Sequence, residues 1–251
     1  MQEDNKLEVF ENFEIERVDG MVFAHKYIGN DIDIVIPDEI TDILDETFAA
    51  YGEKKQYRNL YINSKIKEPI RDDCFENFIV DENNPYMCSV DGVLYSKDKK
   101  KLLRYPSFSK RDVYYVLDSV EEINFPAFRR CSLVELFLND GLKRIENSAF
   151  VASEKLERIY IPDSVTFIGK AAFANCSNIK EIRFPSHLDE DIEYFHMFDI
   201  WGSAARSDCP DCVLKNVYKN FPRLKDKKLR LCALKGVVID YEQGIIPPLD
   251  V

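Results

Sequence analysis

Cys209-Pro210-Asp211-Cys212 is the segment whose residue types could most directly do chemistry. It follows Ser207-Asp208 and reads as a helix start, with a proline in the first turn and a hydroxyl or acid as cap. A helix N-terminus lowers a thiolate pKa through its dipole, which dithiol redox motifs exploit. Such motifs also need a βαβ setting, and the flanking residues lack one. A zinc site would need two further ligands. Cys232 and His196 are available, but their spacing follows no ligand pattern. The pair is therefore read as two small capping residues, with no metal and no cofactor expected.

The other reactive types are no better arranged. His25, His187 and His196 lie in unrelated segments, so no nucleophile–base set can be assembled and no catalytic residue is assigned. Asp81-Glu82-Asn83-Asn84 matches a calcium loop only in composition, lacking the glycine and distal glutamate, and reads as a solvated turn. No glycine-rich phosphate loop is present. The seven cysteines are odd in number and scattered, which points to reduced thiols rather than a disulfide framework. An enzyme is not expected.

The elements that would carry any site announce themselves by spacing. A strand pair is followed by two apolar residues and then a phenylalanine. Ile34, Ile36, Ile40, Ile43 and Phe48 form one such set; Tyr114, Val116, Val120, Ile123 and Phe128 form another. Leu136, Leu138, Leu142, Ile145 and Phe150 follow, then Ile159, Ile161, Val165, Ile168 and Phe173, with Ile182 and Phe184 opening one more. Phe128, Phe150 and Phe173 fall 22 and 23 residues apart. Two apolar residues separated by one share a strand face, and one such coil cannot bury that face alone, so coils must stack. Each phenylalanine follows a small residue (Ala127, Ala149, Ala172), which suits a short helical turn, and Cys131 and Cys176 three residues later read as core positions. Glu135, Arg158 and Glu181 share a column and alternate in sign, as paired parallel neighbours would.

A less regular coil, Leu60, Ile62, Ile66, Ile70 and Phe75, precedes an expected insertion of about 30 residues, roughly 78–108. Within it Ser89–Tyr95 and Leu102–Tyr105 flank a charged turn and predict a β-hairpin. Residues 1–30 are expected to form a hairpin cap, and 31–185 a repeat solenoid of short parallel strands. After Pro185 the repeat stops. Val213, Val217 and Phe221 recur at helical spacing, as do Leu229, Cys232 and Ala233, predicting short helices over 210–221 and 225–238 in a capping segment, 186–251.

The run Ile159-Tyr160-Ile161-Pro162-Asp163-Ser164-Val165-Thr166-Phe167-Ile168-Gly169, continued by Ala172-Phe173 and Cys176, resembles the BspA-like leucine-rich repeat of bacterial proteins. Val35-Ile36-Pro37-Asp38 and Asp91-Gly92-Val93-Leu94-Tyr95 resemble it too, so the likeness covers about residues 30–185. The resemblance implies a solenoid used for protein–protein or adhesion contacts. Many relatives are secreted or surface-anchored. Here Met1-Gln2-Glu3-Asp4-Asn5 is acidic and no apolar stretch follows, so a cytoplasmic location is expected if Met1 is the natural start. A secreted or cell-surface protein with its leader removed is the alternative.

Residues between the inward strand pairs must point outward. That column reads Val35, Tyr61, Tyr115, Phe137, Tyr160 and Arg183. Aromatics there need not be large for folding, and exposed aromatics often mark contacts, so Tyr61, Tyr115, Phe137 and Tyr160 are the expected partner-binding residues. The alternative is that they stack on one another or lie under another segment. A net charge of −11, with only short basic runs at Lys97–Lys101 and Lys225–Arg230, argues against nucleic acid. No apolar run approaches the roughly 18 residues a membrane span needs. The expected function is a non-enzymatic protein-binding or adhesion module. The runner-up is a structural or regulatory scaffold segment of a larger intracellular protein.

Overall fold

The computed structural model describes residues 7–49, 55–183, 185, 231–233, 237–240 and 244–245. The chain divides into two units, Met1–Lys110 and Arg111–Val251. The first unit holds β1 (Glu8–Phe10), β2 (Phe13–Val18), β3 (Met21–Tyr27), β4 (Asp33–Val35), β5 (Asp42–Ile43), β6 (Tyr57–Ile62), β7 (Phe75–Val80), β8 (Met87–Val90), β9 (Val93–Ser96) and β10 (Lys101–Arg104). The second holds β11 (Val113–Tyr115), β12 (Glu122–Ile123), β13 (Glu135–Phe137), β14 (Arg144–Ile145), β15 (Arg158–Tyr160), β16 (Phe167–Ile168), β17 (Glu181–Arg183), β18 (Leu231–Ala233), β19 (Val237–Asp240) and β20 (Gly244–Ile245).

In the first unit, β1, β2 and β3 run antiparallel, and β3 adds the coil strand β5 in parallel. Asp19-Gly20 joins β2 to β3 with both residues at positive φ, the backbone a two-residue hairpin turn requires. Asp91-Gly92 does the same between β8 and β9, and β9 pairs antiparallel with β10. The stacked coils contribute the parallel sheet β4-β6-β7.

Phe78–Val80, expected to begin an insertion, is the end of β7 and a front strand of the stack: Phe78, Ile79 and Val80 register with Leu60, Tyr61 and Ile62. The interval from Leu60 to Phe78 is 18 residues, shorter than the 26 from Ile34 to Leu60 and the 22 or 23 of the second unit. That shortening hides the coil from a search for the repeat period.

The second unit stacks its coils in two parallel sheets, β11-β13-β15-β17 in front and β12-β14-β16 behind. Between them the side chains set by the spacing are buried: Leu136, Leu142, Ile145 and Phe150 are wholly inaccessible, as are Val120, Ile123 and Phe128. The phenylalanines form an inner ladder, Phe128 on Phe150 at 5.1 Å and Phe150 on Phe173 at 4.9 Å with ring planes 1° apart. The segments carrying them are turns, and no helix occurs among the described residues. Ser148, Ala152, Ala171 and Asn175 take positive φ there. Their neighbouring amides bond from coil to coil, Phe150 N to Ala172 O at 2.8 Å and Ala152 N to Ala174 O at 2.8 Å. A helix would direct those N–H groups back into its own turn; the turn directs them along the stack.

Three buried asparagines bond turn carbonyls of the preceding coil. Asn139 Nδ2 donates to the carbonyls of Leu117 (2.9 Å) and Val120 (3.0 Å) one coil back, while its Oδ1 accepts from Gly141 N. Asn63 and Asn84 do the same for Pro37 and Ile40 and for Asn63 and Ile66. Asn84 closes the Asp81–Asn84 turn and is buried, whereas Asp81, Glu82 and Asn83 are exposed.

Beyond the coils, the expected helix over 225–238 is corrected in part. Leu231–Ala233 and Val237–Asp240 are antiparallel strands, with β20 pairing β19. The β-branched run Val237-Val238-Ile239 favours extended backbone, and three residues at helical spacing were too few to outweigh it. The expected helix over 210–221 lies outside the described residues.

Gly169 sits where a Cβ would lie 2.4 Å from Asn147 N and 2.7 Å from Glu146 C, both backbone atoms of the preceding coil. Gly169→Ala is expected to lose about 1–3 kcal/mol in urea unfolding, the cost of overpacking a site that cannot yield. An unchanged midpoint would refute the close approach.

Asp72 accepts from Phe48 N and Ala49 N with Oδ1 (both 3.3 Å), while Oδ2 is buried without a hydrogen-bond partner among the described residues. Burial, only partly offset by these bonds and by Arg104, raises its pKa from 3.8 to about 6. The folded state therefore holds a proton that the unfolded chain releases between those values. Stability from this group is full below about pH 4 and declines by about 3 kcal/mol as pH rises through 6. Asp72→Asn keeps the Oδ1 acceptor and removes the charge, so it is expected to flatten that decline. Urea titrations of both proteins at pH 4 to 7 measure it, and parallel slopes would exclude Asp72 as the cause.

Candidate functional site

The outward side of the front strands carries two columns, because strand side chains alternate while parallel coils repeat them in register. In the first unit Asp33, Asn59 and Asn77 form a polar column beside Val35, Tyr61 and Ile79. Arg58 grips the Asp33 carboxylate with Nε at 2.8 Å and its second nitrogen also in contact; Asn59 Nδ2 adds a bond at 2.9 Å. That guanidinium holds the Asp33 carboxyl below its usual range. Val35 is 63% exposed, and Tyr61 and Ile79 are each about two-fifths exposed.

In the second unit Tyr115, Phe137 and Tyr160 register along β11, β13 and β15. Their rings stack face to face, Tyr115 on Phe137 at 4.6 Å and 6°, and Phe137 on Tyr160 at 5.1 Å and 17°. Tyr115, at 66% exposure, is the most exposed of the large hydrophobic side chains among the described residues. The backbone of Arg183 follows Tyr160 in the register. Beside this ladder Arg158 bonds Glu135 through Nε and Nη2, both at 3.2 Å, and registers with Glu181. Lys180 pairs with Glu157 at 2.7 Å and holds that carboxyl below its usual range.

The back sheet of this unit contrasts with the front. Lys143 pairs with Glu121 at 2.6 Å, Arg144 with Glu146 at 2.9 Å, and Arg144 also lies 4.1 Å over the Phe167 ring. Its charges and its aromatic satisfy one another. The front leaves an aromatic ladder open.

The four expected contact residues thus fall in two groups. Tyr115, Phe137 and Tyr160 are brought together in one continuous stack, whereas Tyr61 belongs to the first unit, between Val35 and Ile79. Ile79 was missed because it lies in the shortened coil; the strand pattern of Phe75–Val80 was its available signal.

The reactive side chains are occupied structurally. Cys176 is buried, donates to Phe150 O at 3.0 Å, and has its thiol pushed far above the ordinary range by burial. Cys131 is buried against Ser153 Oγ at 3.4 Å, and burial likewise pushes the Cys74 thiol up. Such thiols are poor nucleophiles. His25 pairs across strands with Glu16 at 2.9 Å. Among the described residues no group of three or more His, Cys, Asp or Glu side chains could hold a metal ion. Of the weighed zinc set, Cys232 falls in β18, while His196, Cys209 and Cys212 lie outside the described residues, as does His187. No helix among the described residues is long and apolar enough to cross a membrane.

Comparison with known proteins places this geometry. No curated protein matches the chain. A leucine-rich repeat protein from Eubacterium ventriosum is similar in structure, with 24% identity and a TM-score of 0.52 over 61% of this chain and 41% of that one. The pneumococcal vaccine antigen PcpA matches at 22% identity and a TM-score of 0.46 over 63% of this chain and 48% of its own. A leucine rich cell surface protein from Faecalibacterium prausnitzii matches at 13% identity and a TM-score of 0.42, over 74% of this chain and 84% of that one. The chain spans less than half the length of the first two. The Eubacterium likeness shows the fold alone. Residues 109–198 match the BspA type leucine-rich repeat region in six copies.

Proposed function

We propose that the chain is a non-enzymatic binding module whose front-strand face engages a protein partner, with Tyr115, Phe137 and Tyr160 as one contact surface and Tyr61 as a second. The observation that carries this reading is the open aromatic ladder, 66% exposed at Tyr115, on a face whose inward residues already account for the core. Large amphipathic rings held rigid by their neighbours offer contact area at little entropic cost on binding. The leucine-rich repeat family is consistent with protein-binding or adhesion modules. No arrangement of nucleophile, base or metal ligands among the described residues favours catalysis.

Affinity capture from the native organism identifies the partner, and the purified pair then gives a binding constant. Tyr115→Ser combined with Tyr160→Ser is expected to weaken binding by about 2 kcal/mol or more, the range of interface anchors. Met21→Ser, at an exposed site of the other unit, serves as control. Equal affinity of the double variant and the wild type would remove this surface from consideration.

The same rings also support the fold, and a separate measurement isolates that contribution. Phe137→Ala deletes two stacked contacts and is expected to cost about 1–3 kcal/mol in urea unfolding, since each aromatic pair contributes roughly 0.5–1.5 kcal/mol. A loss below about 0.5 kcal/mol would show the ladder to be energetically idle in the free protein.

A further inference from the structure

We infer that the front face of the Arg111–Val251 unit takes a cationic amphipathic helix laid along the stacking axis, an inference that rests on the binding role proposed above and specifies the partner. Its first support is spacing. The ladder's ring centroids are 4.6 and 5.1 Å apart. A helix advances about 5.4 Å per turn, so one face of it can meet one rung per turn across three coils. An extended strand sets same-side residues about 6.7 Å apart and drifts out of step after one rung.

The second support is charge. Three residues after each ring, the turn carries an exposed aspartate: Asp118, Asp140 and Asp163. These turns stack closely, since a Cβ on Gly141 would lie 3.4 Å from the Asp118 carbonyl oxygen. Asp118 and Asp140 make no ion pair with any described residue. On the opposite flank of the ladder Glu135 is met by Arg158. Asp118 and Asp140 therefore leave this side of the ladder acidic and unmatched, in a chain of net charge −11. Because the rings face one another, the middle of the ladder offers edges to a partner, and ring edges carry no attraction for cations. Apolar residues suit the ladder, and Lys or Arg on the adjoining helical stripe suit the aspartates, their long stems covering the ring edges.

The probe is a labelled synthetic peptide of roughly 18 residues, long enough to be helical, with leucine and lysine at helical spacing. Two comparators are needed: the same composition in strict alternation, which is strand-like, and a glutamate-for-lysine version. Fluorescence anisotropy on the full chain is expected to show binding of the lysine helix at least about tenfold tighter than either comparator. Asp118→Asn with Asp140→Asn is expected to weaken it about tenfold and to reduce its salt dependence. Asp19→Asn with Glu68→Gln, which removes two charges from the other unit, is expected to leave it unchanged.

Equal binding of the alternating peptide would overturn the helix, and indifference to the Asp118/Asp140 change would overturn the charge match. Failure of every peptide would overturn the inference as a whole. Loss of a captured partner in the Tyr115/Tyr160 double variant would still uphold the binding face itself. If that variant also kept its partner, both readings would fall together.

Discussion

Coil-to-coil backbone hydrogen bonding, in register, is the constraint on which the rest of this structure depends. Front strands, back strands and the phenylalanine turns each bond to the same element one coil on, as in Val116 N to Phe137 O, Gly169 N to Ile145 O and Phe128 N to Ala149 O. A parallel stack of this kind repeats each residue's environment at the strand spacing of about 4.8 Å. Like side chains are therefore forced onto like. Phenylalanine meets phenylalanine inside, aromatic meets aromatic outside, and acid meets base where Arg158 follows Glu135.

The same constraint explains where polar groups are buried. Turns that depart from the strand leave carbonyls without an amide from the next coil, and an unmet buried carbonyl costs about 1–3 kcal/mol. Asn63, Asn84 and Asn139 supply the missing donors, two from each amide group. Cys176 and Ser153 do a weaker version of this inside the phenylalanine turns, donating to Phe150 O and Phe128 O. The buried thiols are thus part of the hydrogen bonding of the stack.

It also separates the two sheets of the second unit. The back strands are two residues long and carry charges that pair among themselves, so that face needs nothing further. The front strands are three residues long and place one inward residue between two outward ones, the second of them aromatic. With Tyr115, Phe137 and Tyr160 in that place, stacking holds the rings upright without covering their edges. Stability and recognition share one set of side chains, and both readings of the outward column, mutual stacking and partner contact, draw on it.

The inward half of the fold was legible in the sequence. Translation of one coil onto the next makes the period of Ile, Leu and Phe a direct image of the core, and the alternation Glu135, Arg158, Glu181 an image of the register. Coils that departed from the period were not legible in the same way: the end of the front strand Phe75–Val80, from Phe78 on, was absorbed into an insertion, and a β-branched run after Leu231 was read as helix. Nor could spacing distinguish a helical turn from one with left-handed residues at Ser148, Ala152 and Ala171, because that choice depends on carbonyls of the neighbouring coil. Sequence by itself determined which side chains point in and which repeat in columns. Only the tertiary structure decided which outward charges find partners, which rings stack, and which face is left open, since those outcomes depend on contacts between coils that a single coil does not contain.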